Sequence, residues 1–330
     1  MLTLLLLACT PSLPPAYSAE IQNADRSYRA GQYEAAAEHW ERARQLAPGA
    51  RERDECTYRR ATSLERAGKI DEARAVLLTL QQGEPGERQA RAAFDRARLL
   101  IDAGDEQRGY AELDAAIRKF PNSGLAPKAV RDIRQDDEAK LGGEAALQHL
   151  AKLASAVGGS DLAEVLAYEQ ALLIDSTRGA GAALGPYRAL ITRYPYPTGL
   201  YWDESILRVA AIERELGQPK RAIEWLKWMI SHREESNFMG SYERHYSKAR
   251  FLMAEIWRDD LNDWQRAREE FRALVQDYPT SLLRDDALFE AARLSNAHGD
   301  ATEACSDVAK LEREFPDSRH AHEAEALCPR

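Results

Sequence analysis

Small and apolar residues along this chain fall at helical spacing and then break at regular intervals. Residues 24–48, ADRSYRAGQYEAAAEHWERARQLAP, set the pattern. Ala36, Trp40 and Ala43 lie three and four apart, on one face of a helix. Gly31 interrupts the chain before them and Pro48 closes the run they form. The stretch therefore predicts two helices joined by a turn at Gly31. The same order recurs: Gly68 with Ala73 and Leu77, Gly104 with Leu113 and Ala116, Gly142 with Leu147 and Ala151, and Arg178 with Ala183 and Tyr187. Gly217 with Ala222 and Leu226, Asn262 with Ala267 and Phe271, and Gly299 with Ala304 and Val308 complete it. The turn positions 31, 68, 104, 142, 178, 217, 262 and 299 are spaced by 37, 36, 38, 36, 39, 45 and 37 residues. Glycine tolerates the positive φ that ends a helix, and asparagine is the next most tolerant. Arg178 is the turn residue that fits this chemistry least.

This frame resembles the tetratricopeptide repeat, a helix–turn–helix of about 34 residues. The resemblance covers residues 20–328. It implies an all-α fold: a right-handed α-solenoid of about eight repeats, with residues 319–328 as a C-terminal capping helix over the last apolar face. Four joints between repeats share an aromatic-proline signature: FPNS (120–123), YPYPT (194–198), YPTS (278–281) and FPDS (315–318). Proline stops one helix, and Ser or Thr is positioned to cap the next. These joints resemble those of bacterial envelope proteins built from the same repeat, of the outer-membrane-assembly and Tol-Pal-coordinator kinds.

In this family the first helix of each repeat lines the concave face. The groove positions are then those 13, 10 and 6 residues before each turn. They give Tyr58, Arg91, Phe94, Arg98, Tyr168, Phe289 and Arg293 as candidate partner-binding residues, aromatics beside arginines being typical interface anchors. A second candidate lies where the spacing widens to 45 residues. Ser231 to Tyr246 (SHREESNFMGSYERHY) reads as an inserted loop, and insertions in repeat arrays often sit on a binding face. Five of the six tryptophans fall within 202–264, so this region holds either an aromatic-rich core or a docking patch of Trp225, Trp228, Phe238 and Tyr242.

The N-terminus is of another kind. MLTLLLLACT places leucines directly before Cys9, and Leu6, Ala8 and Cys9 match the lipobox of bacterial lipoproteins. The resemblance implies that residues 1–8 are a signal segment and that Cys9 is the lipid-attachment site. No Lys or Arg precedes the leucines, unlike the usual secretory signal, which keeps open a cytosolic adaptor with a misread start. Residues 9–19 contain three prolines and no charge, the composition of an extended tether. Thr10 after the cysteine implies sorting to the outer membrane, on its periplasmic face.

Charge and chemistry narrow the function by exclusion. The net charge is −9 with acids and bases interspersed, so no basic block tracks a nucleic-acid backbone. No spacing of His, Cys, Asp or Glu forms a recognised metal motif, and no glycine-rich phosphate loop or nucleophile elbow occurs. The sequence implies no enzyme, cofactor or small-molecule substrate. The expected partners are other envelope proteins or peptides, in outer-membrane assembly, secretion or pilus formation, cell-wall coordination or motility. Cys305 lies 11 residues before Pro316 and Cys328 lies 12 after it. Two antiparallel helices joined at Pro316 put these thiols at one height, which predicts a disulfide and an oxidising compartment. Cys56 is left over as a small core residue.

Overall fold

Helix pairs follow one another from residue 15 to residue 325 in the computed structural model, which describes residues 13–232 and 241–328, with backbone alone for 241–244. No strand occurs among the described residues. Contacts divide the chain into two units, 1–163 and 164–330. Unit 1 carries α1 (Pro15–Arg29), α2 (Tyr33–Leu46), α3 (Ala50–Arg66), α4 (Ile70–Gln81), α5 (Glu87–Asp102), α6 (Glu106–Lys119), α7 (Ala126–Leu141) and α8 (Gly143–Val157). Unit 2 carries α9 (Ala163–Arg178), α10 (Ala180–Arg193), α11 (Trp202–Glu215), α12 (Pro219–Ser231), α13 (Ser241–Asp259), α14 (Trp264–Asp277), α15 (Arg284–Ala297), α16 (Ala301–Glu314) and the short α17 (Ala321–Glu325). Within each unit the packing is between neighbours in sequence, as in a stack of repeats.

The turns inside the pairs show why the frame holds. Gly31 has φ +75°. The amide of Gln32 reaches back to Ser27 O at 2.9 Å and that of Gly31 to Tyr28 O at 3.1 Å. These two bonds satisfy carbonyls that α1 leaves open at its end. The bond that spans five residues recurs from Lys69 to Leu64, Asp105 to Leu100, Gln218 to Glu213 and Asp300 to Ser295. Asn262 serves the same place with φ +53°.

Two turns are built differently. Gly142 (φ 84°, ψ 162°) and Gly179 (φ 87°, ψ 166°) lead into the second helix at once. The fifth turn residue is thus Gly179 and not Arg178, which remains the last residue of α9. The small residue that admits the partner helix shifts with it. It stands five positions after the turn in Ala36, Ala73, Ala222, Ala267 and Ala304, and four after it in Ala146 and Ala183, all fully buried. In α6 the place is taken by Gly109, where an added Cβ would meet Ile101 Cγ1 at 2.5 Å and Ile101 N at 2.9 Å.

Phe120 and Tyr278 of the aromatic-proline joints are buried at the ends of α6 and α14. Ser123, Ser281 and Ser318 do not cap the next helix. Each hydroxyl accepts the amide two residues on, at 3.3, 3.1 and 3.2 Å, and so closes the turn before the helix starts. Arginines tie successive elements in unit 2. Arg250 meets Glu270 at 2.7 Å, Arg258 meets Glu290 at 2.5 Å, and Arg272 meets Asp307 at 2.6 Å.

Three boundaries differ from the sequence reading. The helical body starts at Pro15, not after Ala19, because proline at the first helical position lacks only an N–H that would have no partner there. Tyr17, read as tether, is buried and accepts a hydrogen bond from Cys56 Sγ at 3.7 Å. Cys9 lies outside the described residues. In the inserted stretch, residues 241–246 are already helix and Tyr246 is buried, so the loop is shorter than 231–246. The terminal helix spans five residues and not 319–328. Cys305 on α16 is bonded to Cys328, with Cα atoms 4.9 Å apart, and Cys56 is buried as a free thiol.

Candidate binding cleft

The positions 13, 10 and 6 residues before the turn at 68 are Glu55, Tyr58 and Thr62. All three line one cleft of about 340 Å³ in unit 1. Asp25, six before Gly31, and Arg91, thirteen before Gly104, join them. First helices α1, α3 and α5 thus present their groove positions to one space, with Trp40 of α2 beside them. Helical periodicity is the cause: residues three and four apart share a face, so one frame repeated in stacked helices lines one surface.

Tyr58 is the centre of the cleft. Its hydroxyl donates to Asp95 Oδ2 at 2.9 Å. Burial, then the Asp95 carboxylate, push its pKa up, so it stays a neutral donor. The guanidinium carbons of Arg88 and Arg91 lie 5.0 and 5.5 Å from its ring centroid, and that of Arg59 lies 5.8 Å from Trp40. Glu55 holds Arg59 at 2.8 Å and also pairs with Arg88. Arg59 and Arg91 keep 53% and 50% of their side chains exposed, so their charged ends are within reach of a ligand. Arg88 was not singled out by the sequence frame. It lies three residues before Arg91, on the same face, and that spacing is the signal that finds it.

The other sequence candidates fall elsewhere. Phe94 is fully buried and belongs to the core, so the predicted Arg91–Phe94–Arg98 face divides. Arg98 sits 4.0 Å from Asp95 and outside the cleft lining. Tyr168 stacks on Tyr201 with centroids 4.1 Å apart and meets Tyr187 edge-on, a packing role. Phe289 is also buried and stacks on His320 at 4.3 Å. These aromatics are consumed by packing between helix pairs. Arg293 is exposed and bonded to Glu290 at 2.6 Å. Trp225 and Trp228 do share a shallow cleft of about 640 Å³ with Arg188, Ile191, Pro195 and Arg221, and Trp228 is 40% exposed. Phe238 lies outside the described residues, as does the side chain of Tyr242.

Stacked helix pairs with a lined cleft define a helical-repeat protein. Residues 248–281 match the family model of the tetratricopeptide repeat. The other helix pairs among the described residues follow in the same stacked order. That architecture presents helix-lined surfaces to protein or peptide partners. Solved structures similar to this chain include a tetratricopeptide-repeat protein of Parabacteroides merdae, at 14% identity over 84% of this chain and 99% of that one, TM-score 0.38. Pseudomonas aeruginosa pilF is 15% identical over 73% and 99%, TM-score 0.44. PilW, a type IV pilus biogenesis factor, is 15% identical over 71% and 97%, TM-score 0.41. Likenesses of this strength carry no argument about function. No curated protein matches the chain.

Proposed function

We propose that this chain is a non-catalytic scaffold that holds a peptide segment of another cell-envelope protein in the cleft of unit 1. A lipid on Cys9 keeps it at the periplasmic face of the outer membrane. The cleft is the observation that carries this reading. Tyr28, Trp40 and Tyr58 line it with Arg59, Arg88 and Arg91, against the carboxylates of Asp25 and Glu55. Aromatic rings take an apolar side chain, and guanidinium groups beside them take a carboxylate in a forked hydrogen bond. The ligand class is therefore an extended segment carrying an apolar and an acidic side chain. The Cys305–Cys328 disulfide supports the compartment, since such bonds persist in oxidising surroundings. No helix among the described residues is long and apolar enough to cross a membrane, so attachment through Cys9 is the route this reading uses.

A photo-reactive residue at Thr62 of the full chain, in the native envelope, tests the cleft. The expected result is a discrete adduct that is lost in the Arg91→Glu variant and absent with the probe at Leu282, which is 92% exposed. Equal adducts from both positions, or no effect of Arg91→Glu, would overturn the reading. Metabolic labelling with a fatty-acid analogue tests the anchor. Label on the wild type and none on Cys9→Ala is expected, and an unlabelled wild type sinks it.

A further inference from the structure

Asp203 and Glu204 are neighbours in the first turn of α11, and His245 lies 42 residues on, in α13. One donor atom from each of the three lies within 4.8 Å of the others. We infer that this corner of unit 2 is a divalent-cation site, with two carboxylate oxygens and one imidazole nitrogen as ligands and Zn²⁺ as the ion best suited.

The geometry separates this corner from an ordinary ion bridge. Elsewhere in the molecule His149 is held at both ring nitrogens, by Asp137 at 2.6 Å and Asp114 at 3.0 Å, and its bonding is complete. His245 Nδ1 meets Asp203, but Nε2 is 3.8 Å from Glu204 Oε1, too far for a hydrogen bond. Glu204 Oε2 is buried and accepts no hydrogen bond. An orphaned carboxylate oxygen next to a second carboxylate is the arrangement a cation resolves, because it supplies charge and a ligand bond at once. Asp203 and His245 keep 19% and 23% of their side chains exposed, so the donors are shielded but reachable. They open on a cleft of about 260 Å³ lined by Tyr196, Thr198 and Tyr246, room for a water as fourth ligand.

The donor set selects the metal. Magnesium and calcium take oxygen shells, whereas an imidazole beside carboxylates suits zinc and its neighbours in the first transition row. Zinc bonds of about 2.0–2.1 Å bring tetrahedral ligands to about 3.3 Å from one another, so the side chains draw inward when the ion enters. The ion takes a ring nitrogen of His245 and joins α11 to α13, and any proton displaced from that nitrogen goes to solvent.

Calorimetric titration of the metal-free full chain with Zn²⁺ tests this, with Mg²⁺ as the comparison ion. One zinc per chain is expected, little response to Mg²⁺, and a melting temperature that zinc raises and a chelator lowers. Glu204→Gln and His245→Gln should each weaken zinc binding by about tenfold or more. His149→Gln should leave it unchanged. Circular dichroism of the metal-free variants separates lost ligands from lost fold. Zinc binding that is absent in the wild type, or equally strong in a folded Glu204→Gln/His245→Gln double variant, would overturn the site.

Discussion

Gly179 and Gly31 do different jobs although both have positive φ. The φ and ψ of Gly179, 87° and 166°, lie in a region that is essentially closed to residues with a Cβ, whereas Asn262 shows that asparagine can serve a turn of this chain. Gly179→Asn is therefore expected to cost about 1–3 kcal/mol. Gly31→Asn should cost about 1 kcal/mol or less, as read by denaturant unfolding of each variant. Equal losses would contradict the distinction. His149 makes a second residue-scale prediction. The hydrogen bond to Asp114 leads in raising its pKa above 6.5, burial opposes it, and Asp137 adds to the rise. A group whose folded pKa is raised contributes its stability fully below the unfolded value and loses it as pH rises through the folded value. The melting-temperature advantage of wild type over His149→Gln should thus be largest below about pH 6.5 and shrink above it. An advantage that grows with pH would show that the imidazolium is not what the two carboxylates hold.

At the scale of helices, the close approach of α5 and α6 depends on one missing side chain. Replacing a glycine inside a helix by alanine ordinarily stabilises by about 0.5–1 kcal/mol. At Gly109 the sign reverses, because the new methyl would press on the backbone nitrogen and side chain of Ile101. Gly109→Ala should lower the urea midpoint, and a raised midpoint would mean that the helices have room to part. The small-residue frame was legible in the sequence because helix approach demands it in every repeat. Gly179 was not, because the frame was kept at a fixed five residues between turn and alanine, and the two tight turns use four. Cleft positions Tyr58, Thr62 and Arg91 were legible from the same frame, while Phe94 and Phe289 were not. A periodic position says which way a side chain points, but not whether a neighbouring helix already covers it. The Asp203–Glu204–His245 corner was invisible for a plainer reason: His245 lies 42 residues from Asp203, and the three follow no motif spacing.

On the scale of the molecule, the frame runs through the chain, yet contacts divide it at 163/164. In unit 2 one continuous core extends from Ala171 to Ala324 and reaches Cys328 at its edge. The disulfide closes this end. Reduction, or the Cys305→Ser/Cys328→Ser pair, should destabilise unit 2 by about 2–4 kcal/mol and leave the exchange of amides in unit 1 unchanged. Destabilisation of both units alike would make the chain one cooperative body. A partner segment seated in the cleft of unit 1 is read out by hydrogen–deuterium exchange on the full chain, with and without the partner captured at Thr62. New protection in α1, α3 and α5, lost in Arg91→Glu, is the expected result. Protection confined to α12 and the Trp225–Trp228 surface, with unit 1 unchanged, would contradict it.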